Sequence, residues 1–83
     1  MMNLKIKEWF YDKTQDVARK YNCYIDFERD ENRYRKVEDG YVTVYTREIL
    51  AETEKAIQVV LETGDVVGSY KGWKTWIPKS VIA

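Results

Sequence analysis

The sequence predicts an α+β fold in which an N-terminal amphipathic helix packs on a small antiparallel sheet. Two observations predict this fold class. Apolar residues recur at helical spacing over the first 22 residues, whereas the rest of the chain is dense in β-branched and aromatic residues separated by turn signals. A chain of 83 residues has room for only one domain. We therefore expect a single domain over 1–83, with a helix at 3–22 and mostly antiparallel β structure at 23–83.

The helix is predicted from a stripe of apolar residues near the N-terminus. Its members recur at spacings of four, seven and four, and they are Ile6, Phe10, Val17 and Tyr21, with Trp9 at the edge. Asn3 is suited to the N-cap, and Asn22 is suited to the C-terminal end. We expect this stripe to be the face that packs on the sheet.

Short strands and turns are predicted after the helix. Residues 23–28, C-Y-I-D-F-E, alternate apolar and polar side chains as a half-buried strand does. A turn at 29–33 leads to a returning strand at 34–37, and E-D-G at 38–40 is a second turn signal. Residues 41–46, Y-V-T-V-Y-T, are typical of a strand because they are β-branched or aromatic.

Residues 47–62 fit a helix and a strand about equally well. Helical spacing relates Ile49, Thr53, Ala56, Ile57, Val60 and Leu61. The same segment is rich in good helix formers, which favours a helix over 47–62. Strand-like alternation relates Ile57, Val59 and Leu61, and T-G-D at 63–65 leads into further β-branched residues. From the residues alone, both structures stay open.

Two motifs occur together in the last third of the chain: E-T-E-K-A at 52–56, followed by an apolar run, and W-I-P-K-S at 76–80. In this the chain resembles a family of small, mostly uncharacterised proteins that are common in phages and other mobile elements. The resemblance covers 51–83 and none of the predicted helix. It implies a β-hairpin in which 56–61 pairs with 73–77, within a small sheet or partial barrel similar to SH3-type barrels. It implies no particular activity.

On this hairpin, alternate side chains point to opposite faces, with Trp73, Thr75 and Ile77 on one face and Lys74 and Trp76 on the other. Pro78 cannot donate to the ladder and should end it, after which 81–82 would add a last short strand. Because so small a barrel needs large apolar side chains inside, we expect Trp76 in the core and Tyr70 and Trp73 exposed.

The composition excludes most catalytic chemistry. The chain has no histidine, so it lacks the commonest general base and metal ligand at neutral pH. Its lone cysteine, Cys23, permits neither a disulfide framework nor the usual zinc site. A calcium-loop spacing begins at Asp26, but Glu31 replaces the required glycine and Val37 the final glutamate. We therefore expect no enzyme activity, no catalytic or metal site and no cofactor.

Charge and hydropathy indicate where the protein acts. No run approaches about 20 apolar residues, and the first eight residues lack the apolar core of a signal peptide. With an unpaired cysteine, this predicts a cytoplasmic protein without membrane attachment. The formal charge is zero, yet 1–22 and 66–83 are basic whereas 23–65 is acidic. The ends would form a basic patch if they met, ordinary solvated surface being the alternative.

Two binding functions are predicted. The first is a non-enzymatic protein-binding module from a phage or mobile element, such as an anti-CRISPR-like inhibitor of a host defence system. Its partner would be a host or phage protein, bound by the loop at 63–73 and by an acidic turn that contains Glu28, Asp30, Glu31 and Arg33. The alternative is a nucleic-acid-binding accessory protein that uses Tyr70, Lys71, Trp73 and Lys74. A virion assembly component is a third possibility, and the oligomeric state stays open.

Overall fold

A computed structural model of the chain describes residues 2–65 and 72–83. It contains one α-helix, α1 (Glu8–Arg19), and strands that pair antiparallel. In chain order the strands are β1 (Met2–Lys7), β2 (Cys23–Ile25), β3 (Val37–Glu38), β4 (Tyr41–Glu52), β5 (Ala56–Leu61), β6 (Thr63–Asp65) and β7 (Trp73–Pro78). A 3-10 helix, Lys79–Val81, follows β7. The predicted α+β class and the mostly antiparallel sheet are confirmed.

The strand β4 is the centre of the larger sheet. The strand order is β1-β4-β5-β7, and β3 also pairs with β4. Two register shifts, between Thr46 and Glu48 and between Ile49 and Ala51, bend the strand. Its first half can therefore pair with β1 while its second half pairs with β5. The strands β2 and β6 form a separate two-stranded sheet.

Within residues 2–65 and 72–83, the larger sheet is not closed into a barrel. An isolated bridge joins Ile6 of β1 to Ile82, just beyond the 3-10 helix. The N–H of Ala83 also donates to the carbonyl of Lys5 at 2.8 Å. The C-terminal residues therefore lie against β1, which brings the two ends of the chain together. The predicted last strand at 81–82 is wrong, because Val81 belongs to the 3-10 helix and Ile82 contributes a single bridge.

The hairpin of β5 and β7 has the predicted pairing. Its register runs from Ala56 opposite Pro78 to Leu61 opposite Trp73. The ladder ends at Pro78, as expected for a residue without a backbone N–H. The helical alternative for 47–62 is wrong, because these residues lie in β4 and β5 and in the turn between them. Pairing of β5 on both edges outweighs the helical spacing of its apolar residues.

The helix begins at Glu8, so the prediction of a helix over 3–22 is wrong at its start. Asn3 is not an N-cap: it lies in β1, opposite Tyr45 of β4. Leu4 and Ile6 alternate with lysines, which is the pattern of a strand with one buried face. At the other end α1 stops at Arg19, and Asn22 has a positive φ of 59°, a conformation that asparagine tolerates.

The buried face of α1 is not the predicted apolar stripe. The buried residues are Tyr11, Thr14, Gln15 and Ala18. Val17 is instead 45% exposed, and Tyr21, just beyond the helix, is 66% exposed. The helix is thus rotated so that polar side chains face the interior, and this rotation leaves Val17 and Tyr21 in solvent while Phe10 is half-buried at the edge of the core.

Hydrogen bonds between α1 and β2 explain the rotation. The Gln15 Oε1 accepts from the N–H of Ile25 at 2.8 Å, and its Nε2 donates to the carbonyl of Cys23 at 3.2 Å. The Tyr11 hydroxyl donates to the carbonyl of Ile25 at 2.7 Å. These side chains form hydrogen bonds with backbone groups on the edge of β2 that faces away from β6. Without them, these buried N–H and C=O groups would lack hydrogen-bond partners.

The core lies between the larger sheet and α1. Its almost fully buried aliphatic side chains come from four strands and are Ile6, Val42, Val44, Val59, Leu61 and Ile77. Cys23 is buried as well, in agreement with a structural thiol. The turn predicted at 38–40 is confirmed: Asp39 and Gly40 join β3 to β4 with φ of 53° and 81°. Two positive φ values are what a two-residue hairpin turn of type I′ requires.

We predict that Gln15→Leu lowers the free energy of unfolding by about 1 to 3 kcal/mol, because it leaves two buried backbone groups of β2 without partners. Urea denaturation measures the change. Asp16→Ala is the matched control, since Asp16 is exposed and its substitution should change stability by less than about 0.5 kcal/mol. An equal effect of the two substitutions would contradict the role of the Gln15 amide.

Candidate binding surface

Five neighbouring apolar side chains of α1, the turn that follows it and β7 form a surface of which three members are exposed and two, Phe10 and Trp73, are half-buried; we call it the aromatic surface. Its members are Trp9, Phe10, Val17, Tyr21 and Trp73. The ring centroids of Trp9 and Phe10 lie 5.8 Å apart, and those of Tyr21 and Trp73 lie 5.6 Å apart. Phe10, Val17 and Trp73 line one groove of about 230 Å³ between the helix and the strand. The exposed fractions are 58% for Trp9 and 66% for Tyr21.

Two local features hold these side chains in place. The hydrogen bonds of Gln15 to β2 turn the side of α1 that carries Val17 toward solvent. The pairing of β7 with β5 places Trp73 on the same face as the buried Ile77, so its ring packs against the core from the side of the helix. The surface is therefore carried by regular elements of the fold.

The groove within the aromatic surface is positively charged. Besides its apolar residues it is lined by Lys13, Thr14, Lys74 and Thr75, and none of the described residues that line it is acidic. Among the described residues, Lys13 and Lys74 take part in no salt bridge. Other lysines near the chain ends are neutralised: Lys5 lies 3.6 Å from Glu38, and Lys79 lies 2.6 Å from Glu52. The groove therefore carries two lysines without a salt-bridge partner among the described residues.

The positions of the two tryptophans of β7 are the reverse of those predicted: Trp73 packs against the core and Trp76 is exposed. Trp76 is 45% exposed, so the expectation that it lies in the core is wrong. It pairs with Gln58 on the outer face of the sheet, whereas Trp73 packs against the core. Because Ile57 and Ile77 are a buried pair, strand alternation fixes Trp76 on the outside. The predicted alternation along 73–77 is nevertheless confirmed.

The residues predicted to bind nucleic acid are only partly covered by the structure. Tyr70 and Lys71 lie outside the described residues. Lys74 is exposed, and Trp73, which we expected to be exposed, is half-buried between Tyr21 and the core. Lys13, on the helix, joins Lys74 at the groove, and sequence reasoning missed it because helix and strand meet only in the folded chain.

Two residues of the predicted acidic turn, Glu28 and Asp30, form contacts within the protein. Glu28 pairs with Lys36 at 3.7 Å. The Asp30 Oδ1 accepts the N–H of Asn32 at 2.8 Å and the N–H of Tyr34 at 3.0 Å, so this carboxylate shapes the turn.

The other two residues predicted in the turn are exposed. Arg33 has a positive φ of 67°, and Glu31 lies at the tip beside it. Within the described part of the chain, no hydrogen bond, salt bridge or ring contact links either residue to Trp73 or Lys74. The turn and the aromatic surface are therefore separate features.

A larger cleft of about 860 Å³ lies on the other side of α1, next to β2. Its charged lining residues are Asp12, Asp16, Arg19, Asp26, Arg29 and Arg35. They neutralise one another: Arg35 contacts Asp12 at 2.8 Å, and Arg29 contacts Asp26 at 3.1 Å. Sequence reasoning missed the link from Arg35 to α1, because 23 positions separate its partners and no local pattern relates them. The cleft therefore offers few unpaired charges to a ligand.

Two ionisable groups of this cleft have shifted pKa values. Burial raises the pKa of Tyr11 to about 12, so its hydroxyl stays a hydrogen-bond donor at neutral pH. Partial burial lowers the pKa of Arg35, but its hydrogen bond to Asp12 and the charges of Asp12 and Glu8 outweigh that effect and raise it overall. In the described part of the chain no three acidic or cysteine side chains come together in a way that could hold a metal ion. Nor is any helix there long and apolar enough to cross a membrane.

We predict that the free energy of unfolding falls between pH 10 and pH 12 by about 2 to 3 kcal/mol through Tyr11 alone. The folded-state pKa is the higher one, so this stability is complete below the unfolded-state value near 10 and is lost as pH rises to 12. The measurement is the difference in unfolding free energy between the wild type and Tyr11→Phe across this range. A difference that does not change with pH would contradict the raised pKa.

Searches with this chain against protein-family models, curated proteins and solved structures find no match.

Proposed function

We propose that this chain is a non-enzymatic protein-binding module whose contact site is the aromatic surface of α1 and β7. The observation that carries the proposal is that three exposed apolar side chains, Trp9, Val17 and Tyr21, lie next to the half-buried rings of Phe10 and Trp73. Scattered single apolar residues are normal on a protein surface, but a connected group of them marks an interaction site. Aromatic residues are also the side chains that most often dominate the energy of protein interfaces.

The geometry of the surface favours binding with little loss of conformational freedom. The ring of Trp9 packs edge to face against that of Phe10, and the ring of Tyr21 packs against that of Trp73. Each of the two exposed rings is therefore in contact with a neighbouring ring. Ring side chains that are already held in place lose little rotamer entropy when a partner covers them. The helix and strand that carry them are themselves fixed by the core.

The origin and biological role belong to the proposal as well. The resemblance of 51–83 to small phage and mobile-element proteins supports an origin of that kind, and it supports a role such as inhibition of a host defence system. The partner would then be a host or phage protein in the cytoplasm. The course of β7 through the 3-10 helix to the bridge between Ile82 and Ile6 supports the SH3-like arrangement that the same resemblance implies.

Nucleic-acid binding is the second candidate, and Lys13 and Lys74 beside an aromatic ring are the observation in its favour. The ring in question, Trp73, is half-buried and rests on Tyr21, so less of its face is free to stack on a base. The zero formal charge also gives little general attraction to phosphates. Protein binding therefore has the stronger support.

The test compares partner capture by the wild type and by the double variant Trp9→Ser/Tyr21→Ser from a lysate of the organism that carries the gene. We expect the variant to retain at most about a tenth of the captured partner, because hot-spot aromatic residues contribute about 2 kcal/mol or more each. Both side chains are exposed, so the fold should survive, and circular dichroism checks this.

Tyr34→Ser is the matched control, because Tyr34 is 73% exposed but lies in the turn after β2, away from the aromatic surface. Capture that is insensitive to the double variant, or equally sensitive to the control, would contradict the proposed site. Capture that disappears after nuclease treatment would favour the nucleic-acid function.

A further inference from the structure

We infer that the free edge of β7 accepts an extended, acidic segment of the protein partner as an additional β-strand. This inference rests on the proposed function and names how the aromatic surface would recognise its partner. Alternate apolar side chains of the added segment would enter the groove between β7 and α1.

The first step concerns the backbone of β7. This strand pairs with β5 along its whole length, from Trp73 to Pro78. Within residues 2–65 and 72–83, no strand pairs with its other edge, so β7 ends the sheet. An edge strand presents unpaired N–H and C=O groups, which are a template for another extended chain. Beyond β7 the chain leads through the 3-10 helix to the bridge of Ile82 with β1, and within β7 it is 73–75 that line the groove, so the inference concerns the edge at 73–76.

The second step concerns the groove beside this edge. Three consecutive residues of β7 line it, namely Trp73, Lys74 and Thr75. Consecutive residues point to opposite faces of a strand, so a groove that touches all three follows the edge of the strand rather than one face. Its other wall is α1, with Phe10 and Val17. Its volume of about 230 Å³ is below the roughly 300 Å³ of typical small-molecule sites, and it suits individual side chains.

The third step is charge complementarity. Lys13 and Lys74 line the groove, and the exposed Lys20 lies in the turn after α1. None of the three forms a salt bridge with a described residue. Among the residues that the structure describes, no acidic one lines the groove. These charges favour an acidic segment, and they should make its binding weaker as the salt concentration rises.

The pattern of the bound segment follows from strand geometry. Side chains of an added strand alternate between the face covered by α1 and the outer face of the sheet. Those on the helix side meet Phe10, Val17 and Trp73 and should be apolar. Those on the outer side lie next to Lys74 and should be acidic. The matching ligand is therefore an extended segment in which acidic and β-branched residues alternate.

The experiment uses the complete ¹⁵N-labelled chain and an acetylated, amidated peptide of sequence Asp-Val-Asp-Val-Asp-Val. We expect the amide signals of 73–76 to shift in a saturable manner with peptide concentration. Two further peptides carry N-methyl groups on either all valines or all aspartates. Since only alternate N–H groups of a strand face its neighbour, one of these peptides should bind about tenfold more weakly or worse, while the other keeps its affinity.

Variants of the protein test the charge. Lys74→Glu should weaken binding of the unmodified peptide about tenfold, because it places a carboxylate beside the acidic side chains. Lys55→Glu is the matched control with the same change in charge. Lys55 is exposed in the turn between β4 and β5 and lies outside the groove. An affinity that Lys55→Glu reduces as much as Lys74→Glu would overturn the local role of Lys74.

Other outcomes would overturn strand addition. They are the absence of shifts at 73–76 up to about 1 mM peptide, a concentration that detects even weak binding, and equal affinity of the two N-methylated peptides. Dimerisation of the free chain through 73–76 would assign the edge to a second copy, and preferential binding of an oligonucleotide there would assign it to nucleic acid. Shifts confined to the amides of Trp9, Val17 and Tyr21 would overturn strand addition but leave the proposed function, which partner capture tests separately.

Discussion

The side-chain amide of Gln15 is the interaction on which the exposed surface of this protein depends. The strand β2 pairs with β6 on one edge only, and Gln15 and Tyr11 satisfy buried backbone groups on the other edge. Each such group left without a partner would cost about 1 to 3 kcal/mol. The helix therefore buries Gln15 and Tyr11, and Trp9 and Val17, which lie on other sides of the helix, stay in solvent.

The register of β5 and β7 is the second constraint on the surface. With Ile57 opposite Ile77 in the core, Trp73 must point toward the helix and Trp76 away from it. One tryptophan thus closes the edge of the core and supports Tyr21, and the other lies on the outer face of the sheet. The aromatic surface is the place where this hairpin and the rotated helix meet, and two lysines that lack salt bridges within the described chain lie in its groove.

The sequence is sufficient to predict the elements that depend on local patterns. The β-rich segment at 41–46 and the turn at 38–40 are confirmed. The pairing of β5 with β7 is confirmed too, although the residues of 47–62 alone left a helix open. The strand β1 could also have been predicted, since Leu4 and Ile6 alternate with lysines. The rotation of α1 could not have been predicted, because it depends on hydrogen bonds to β2. The periodicity of the helix sequence contains no information about that strand. The prediction that Trp76 lies in the core was wrong, because the size of a side chain does not determine which face of a strand is buried.

The most direct measurement of the helix rotation is the reactivity of single cysteines introduced at two adjacent positions of α1. The account predicts that Val17→Cys reacts with a water-soluble disulfide reagent at nearly the rate of the unfolded chain. Ala18→Cys should react at least about 100-fold more slowly, because a buried thiol reacts only after local opening. The buried Cys23 is the internal standard for a protected thiol. Faster reaction at position 18 than at position 17, in variants that keep the native circular dichroism, would contradict the account.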